Sequence, residues 1–263
     1  MPEQKKPRLG GMALLNGVLV HGPTAWACAV RRNDGSIVVG SGRKRLLKIG
    51  PDRPLLRGPA RLLEALLVLP RVRREVPEAR FAFERKSSLA AMAFAGVAIR
   101  VVRESKLSPA AQELVAGIVS LAPATLALRG GELAAYHGAE HISIGTYERG
   151  EPAEKEHERC GSHLIGPLLL ASAAGAALAS RAPDRWRRPA SVGASLAAFA
   201  TATEVFGWMV RHPEHPLAKL LARPGHELQA RFATAEPTPA QVEVAQTALE
   251  ACLELERGNE SPD

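Results

Sequence analysis

The residues in this sequence best suited to do chemistry are Tyr136-His137-Gly138-Ala139-Glu140-His141. On a helix, His137 and His141 stand one turn apart on a shared face with Glu140 beside them. Two imidazoles so spaced can hold a single Zn2+ at ~2.0–2.1 Å each. The adjoining carboxylate can then take a proton from a metal-bound water, as in the inverted His-x-x-Glu-His arrangement of one metallopeptidase class. The alternative is a pair of surface histidines on an ordinary helix.

Two ligands do not hold zinc, so the motif needs a third from elsewhere. One source is close by: His157, Cys160 and His163 in His-Glu-Arg-Cys-Gly-Ser-His. The other is Glu204, the only charge between Pro189 and Val210. A lone carboxylate in so apolar a stretch costs several kcal/mol unless it meets a cation. Its alternatives are a helix end open to water or a pairing with an arginine such as Arg211, and Cys160 could equally be a small buried hydrophobe. His212 and His215 lie between prolines and read as a loop. His21 and His226 stand alone. Neither a Gly-rich phosphate loop nor a Gly-x-Ser-x-Gly elbow occurs, so nucleotide and serine-hydrolase chemistry have no support.

The elements that must position these residues are mostly helical. With 263 residues and 46% hydrophobic side chains, the chain is one or two folded domains with a real core. Its three cysteines are too few and too scattered for a disulfide scaffold, which predicts reduced thiols. No apolar stretch of signal-peptide length follows Lys5, Lys6 and Arg8, so secretion is not expected. The net charge of +7 is concentrated: residues 31–86 carry fifteen Lys or Arg against six acids. Such an excess favours anionic surfaces. Only Phe81 and Phe83 could serve as stacking platforms there, so a membrane inner leaflet is favoured and no nucleic acid is expected.

Four Ala-rich apolar blocks follow, at 89–99, 114–128, 160–180 and 189–210. The third holds 21 residues without a charge, long enough to span a bilayer core as a helix. Four crossings would leave the basic segment and the C-terminal tail both cytoplasmic, as Lys and Arg prefer. The loop with Arg181, Arg185, Arg187 and Arg188 would then face outside, against that preference. A bundle that does not cross fully, or a cytoplasmic protein, is the alternative.

Near the start, residues 13–20, 26–31 and 37–39 read as strands, with Asp34-Gly35 as a hairpin turn. Helices are expected at 61–69, at 132–147 after a Gly130-Gly131 break, and after Thr238-Pro239 as an amphipathic C-terminal helix. The predicted fold is mainly α: an Ala-rich helical bundle, membrane-embedded, with a small N-terminal β-hairpin or sheet. It divides into a basic N-terminal region (1–86), a helical domain with the histidine motif (87–223) and a C-terminal segment (224–263).

The sequence also resembles the YqhQ-type family of bacterial integral-membrane proteins, a family of unknown function described as predicted metal-dependent enzymes. The resemblance rests on Gly10 to Val18, Gly22-Pro23, residues 26–31, Leu56-Arg57-Gly58, the Tyr136–His141 block with Tyr147-Glu148, His157 with Arg159-Cys160-Gly161, Glu204, Pro224-Gly225 and Gln229. It departs at Met12 and Asn16, where the family has Gln and Glu. The resemblance implies a membrane protein with a metal site at His137, Glu140, His141, His157, Cys160 and Glu204.

Taken together, the expectation is a membrane-associated hydrolase using one divalent metal, zinc. His137 and His141 bind it, Glu204 or Cys160 and His157 complete the shell, and Glu140 is the general base. The competing expectation is a non-catalytic membrane scaffold with a structural histidine cluster. The localisation expected is the cell membrane, with the N-terminal basic region on the cytoplasmic side.

Overall fold

A computed structural model describes residues 6–47, 53–129 and 131–258. Lys5, Gly130 and residues 48–52 of the basic segment lie outside them. Four strands, β1 (Gly10–Leu14), β2 (Gly17–His21), β3 (Ala25–Arg31) and β4 (Ile37–Arg43), form an antiparallel meander in chain order. The helices are α1 (Arg57–Leu66), α2 (Leu69–Glu75), α3 (Lys86–Arg103), α4 (Pro109–Leu128), α5 (Glu132–Arg149), α6 (Ile165–Ala179), α7 (Asp184–Arg211), α8 (Pro216–Leu228) and α9 (Pro239–Arg257). The protein is thus mainly helical with a small N-terminal sheet.

The apolar run 13–20, read as one strand, folds back on itself, with Leu14 paired to Gly17. The side chain of Asn16 ties that turn to β3 and to the loop at residues 78–80. Its Nδ2 donates to the carbonyls of Arg31 (3.3 Å) and Glu78 (3.1 Å), and its Oδ1 accepts from the Arg80 N–H (3.0 Å). Apolar periodicity carries no trace of these three bonds. The Asp34-Gly35 turn forms as expected, with Gly35 at φ +87°.

Side chains alternate across β3, so Ala25, Ala27 and Ala29 face one way and Trp26, Cys28 and Val30 the other. The alanine face is covered by α5 and α9, through Tyr136, Ala139, Ile144, Val244, Ala245 and Ala248. The Trp26 face is covered by Val68, Val72, Val76 and Phe81 around α2. An antiparallel sheet often leaves one face in water; here both are buried. The sheet thereby draws in helices from all three segments of the chain, and α5 carries the histidine motif directly onto it.

Thr238 starts α9 with a capping box to Gln241, and Pro239 sits in the first turn. At its far end, the Glu256 carboxylate accepts from the N–H groups of Thr24 (2.8 Å) and Ala25 (2.7 Å), fastening α9 to the β2–β3 connection. The helix expected at 61–69 starts earlier, at Arg57, and stops before Leu67, with α2 following separately.

Helices α3, α4, α6 and α7 pack side by side in that order. Because α3–α4 and α6–α7 are hairpins, their connections at 104–108 and 180–183 lie at one end of the array, while α5, α8 and the sheet lie at the other. Two of these elements, Pro109–Leu128 and Gly161–Ala179, are long and apolar enough to cross a membrane.

Candidate metal centre

Helix α5 begins with Glu132 in its first turn and ends at Gly150, which adopts a left-handed φ of +78°. Ten of its residues are buried, so it is a core helix, with His141 buried and His137 half-buried. His141 is 3% exposed and Glu140 6%. The reading of His137 and His141 as surface residues therefore has no support.

Each histidine is aimed by its outer ring nitrogen. His137 Nδ1 lies 2.8 Å from the Ala233 carbonyl, and His141 Nδ1 lies 2.6 Å from the Lys155 carbonyl. A carbonyl can only accept, so both Nδ1 atoms carry the proton and both Nε2 atoms are left as free lone pairs. Backbone carbonyls on Nδ1 are the usual outer support of metal-binding imidazoles.

Cys160 completes the group, with a ligand atom of each of His137, His141 and Cys160 lying within 4.8 Å of the other two. Cys160 Sγ is 3.6 Å from His137 Nε2. That is within reach of a weak thiol hydrogen bond. It is also the edge of a tetrahedron whose centre is ~2.3 Å from sulfur and ~2.05 Å from nitrogen, which comes to about 3.6 Å.

The carbonyl on His137 is delivered by an irregularity. After α8 the chain makes a π-turn, Gln229–Ala233, which turns the Ala233 carbonyl toward α5; π-turns of this kind concentrate at functional sites. The following residue pair crosses α5 so closely that a Cβ on Gly138 would stand 2.3 Å from the Ala235 carbonyl oxygen. Only glycine at 138 permits that crossing.

Gln229 is fully buried inside this turn. Its Oε1 accepts from the His157 N–H (2.9 Å) and its Nε2 donates to Ser162 Oγ (2.8 Å), bracketing Cys160 from both sides. His157 itself is near but turned away. Its Nδ1 accepts from the Arg159 N–H, its Nε2 lies 3.3 Å from Glu148 Oε2, and Arg159 also bonds Glu148. The ring centroid of His157 is 5.5 Å from that of His141. Both of its nitrogens are thus occupied, and it buttresses the site from behind.

Glu204 lies elsewhere. It bonds the Arg57 guanidinium through both oxygens, and the Leu55 N–H reaches its Oε1 at 3.0 Å. The isolated acid in an apolar helix has found a cation, but that cation is an arginine on α1. The expected pairing of Glu204 with an arginine is therefore met by Arg57 rather than by Arg211, the example the sequence suggested. His163 is buried with its Nδ1 unpaired among the described residues and is not one of the three converging groups.

Glu140 points from α5 to the edge strand, where a Cβ on Gly11 would meet its Oε1 at 2.5 Å. Glycine at 11 makes the room for this carboxylate. Burial pushes its pKa up to about 7, with the charge of His137 opposing and that of Cys160 adding to the rise. Burial, and then His137, drive His141 far below its ordinary value, which keeps it neutral and able to ligate. Burial raises the Cys160 thiol, a shift that a bound cation would reverse.

A basin of three converging ligand atoms, an adjacent acid and an outer ring of main-chain acceptors defines the class: a helical protein with a candidate His2Cys metal centre built against a small sheet. Residues 132–255 match the model of a protein family of unknown function, DUF1385. The matched segment runs from α5 into α9 and so contains all three converging residues, together with Glu140, His157, Gln229 and Glu204. The match supports an uncharacterised family for this part of the chain. No curated protein and no solved structure matches.

Proposed function

We propose that this protein is a membrane-embedded, zinc-dependent hydrolase in which His137, His141 and Cys160 hold the cation and Glu140 is the general base. The observation that carries the reading is the convergence of two Nε2 atoms and a thiol whose outer partners are fixed before any cation arrives. Three protein ligands leave the fourth position of a tetrahedral ion for water or substrate, which is the pattern of catalytic rather than structural zinc. A cation bound there supplies a Lewis acid that polarises a carbonyl or acidifies a water. Glu140, next to His141 in the chain and within the electrostatic reach of His137 and Cys160, would be the residue to accept a proton there and to give it to a leaving group.

Support for the membrane comes from the apolar surface. Phe94, Val97, Ile118, Leu178 and Leu196 are all at least 60% exposed, and they lie on the four helices of the array. So many large apolar side chains exposed on four neighbouring helices are unusual on a soluble monomer. We place the site end on the cytoplasmic side because the described part of the basic segment 31–86 belongs to the sheet and the helices at that end, where it would face the anionic inner leaflet.

Cobalt substitution tests the centre. The wild-type protein should give the absorption of a tetrahedral Co2+ with a thiolate-to-metal band, and Cys160→Ser should lose that band. A cobalt spectrum without a thiolate band in the wild type refutes the ligand set. An alkaline wash of membranes tests the embedding, since the chain should stay with the pellet.

A further inference from the structure

Helix α1 is built inside out. Its leucines at 62, 63 and 66, with Leu67 just past its end, continue a stripe begun by Leu55 and Leu56, and all six are 44–48% exposed. Two of its charges are instead tied to the rest of the fold, Arg57 while still 36% exposed. Arg57 pairs with Glu204 on α7, and Glu64 accepts from the Leu47 N–H at 2.8 Å. A helix at a water boundary has the opposite arrangement, so the leucine stripe faces something apolar.

The stripe's position says what that is. The Arg57–Glu204 pair fixes α1 to α7 near the site end of the helical array, beside the candidate spans. The pair is held firmly enough for Leu55 to keep a left-handed φ of +68° while its N–H reaches the same carboxylate. That conformation costs a non-glycine residue on the order of 1 kcal/mol or more. Arg45, Arg53 and Arg61 are exposed around the stripe, giving the charge that anionic headgroups complement. On α8, which packs on α6 at the same end, Leu217 and Leu220 are 49% and 58% exposed.

We propose that the outward face of α1 is a lipid-contact surface lying in the plane of the bilayer at the site end, with α8 continuing it. It rests on the membrane-embedded reading above and adds the level of the boundary. Cys160 directly precedes the element that begins the second candidate span, Gly161–Ala179. On this reading the candidate metal centre lies at the level of the lipid–water interface, and its substrate is one that reaches it from the membrane plane.

The test uses the full chain in vesicles of phosphatidylcholine and phosphatidylglycerol. A Cys160→Ser background leaves Cys28 and Cys252, both fully buried, as the remaining thiols, and Leu63→Cys carries an environment-sensitive fluorophore. Ile118→Cys on α4 is the reference. Lipid nitroxides at a shallow and a deep acyl position then report depth. The Leu63 label should be blue-shifted and quenched roughly twofold more by the shallow nitroxide than by the deep one, as for an interfacial helix. The Ile118 label should respond to the deep one. A Leu63 label untouched by either nitroxide, with Ile118 quenched, overturns the lipid surface and leaves the embedding intact. Stronger deep quenching at Leu63 overturns the in-plane orientation. No quenching at either position overturns the embedded reading along with it.

Discussion

Cys160 Sγ lies 3.6 Å from His137 Nε2, although the two residues are brought in by different elements, α5 and the loop ahead of α6. The contact exists because both sides are anchored: His137 by the Ala233 carbonyl, and the Cys160 loop by Gln229. A pair held at the separation of two tetrahedral ligands needs little rearrangement to close on an ion.

Glu140→Gln separates chemistry from assembly. Metal content should be unchanged, while activity in cells falls by about 10²–10⁴-fold, the range of a lost general base. An unaffected phenotype would favour a scaffold with a structural cluster.

The same variant has a pH signature in the metal-free protein. The Glu140 carboxyl is raised in the fold to about 7, so the folded state binds more protons than the unfolded state between pH ~4.5 and 7. Stability therefore falls as pH rises through that window, by on the order of 3 kcal/mol. Glu140→Gln removes the loss, so thermal melts should show the variant and wild type converging near pH 4.5, with the variant ahead above pH 7. Parallel curves would contradict the burial argument.

Gln229→Ala strips the His157 N–H and the Ser162 hydroxyl of their buried partner. The expected loss is about 1–3 kcal/mol per group left unsatisfied, with metal affinity weakened as the Cys160 loop loosens. Denaturant unfolding in detergent, alongside a zinc titration, measures both. An unchanged affinity would mean the loop is held by something else.

Glu204→Ala should leave metal stoichiometry at the wild-type value, because its carboxylate is engaged by Arg57 and the Leu55 N–H and is not among the three converging groups. Its cost to stability should stay near 1 kcal/mol or below, as the pair is partly open to solvent. Loss of metal in this variant would return Glu204 to the ligand set.

Much of this site was legible in the sequence because its core is local. His137, Glu140 and His141 follow from helical spacing alone, and Cys160 was within the short list of third ligands. What fixes them was not legible. Two of the supports are main-chain carbonyls, of Ala233 and Lys155, which carry no residue signature. The π-turn that presents Ala233 depends on tertiary packing rather than propensity. His157 carried the right chemistry in the right neighbourhood, but Glu148 and the Arg159 N–H had already claimed its nitrogens. The helical blocks were readable from apolar content. The turn at Asn16 and the outward leucines of α1 were not, because each depends on what lies across from it.

Elemental analysis of the purified protein is the direct test. The wild type should carry about one zinc per chain, since a site of three ligands holds a single ion, and His137→Ala/His141→Ala should carry none. Absence of stoichiometric metal from the wild type, or full metal in the double variant, would contradict the assignment of His137, His141 and Cys160 as a metal centre.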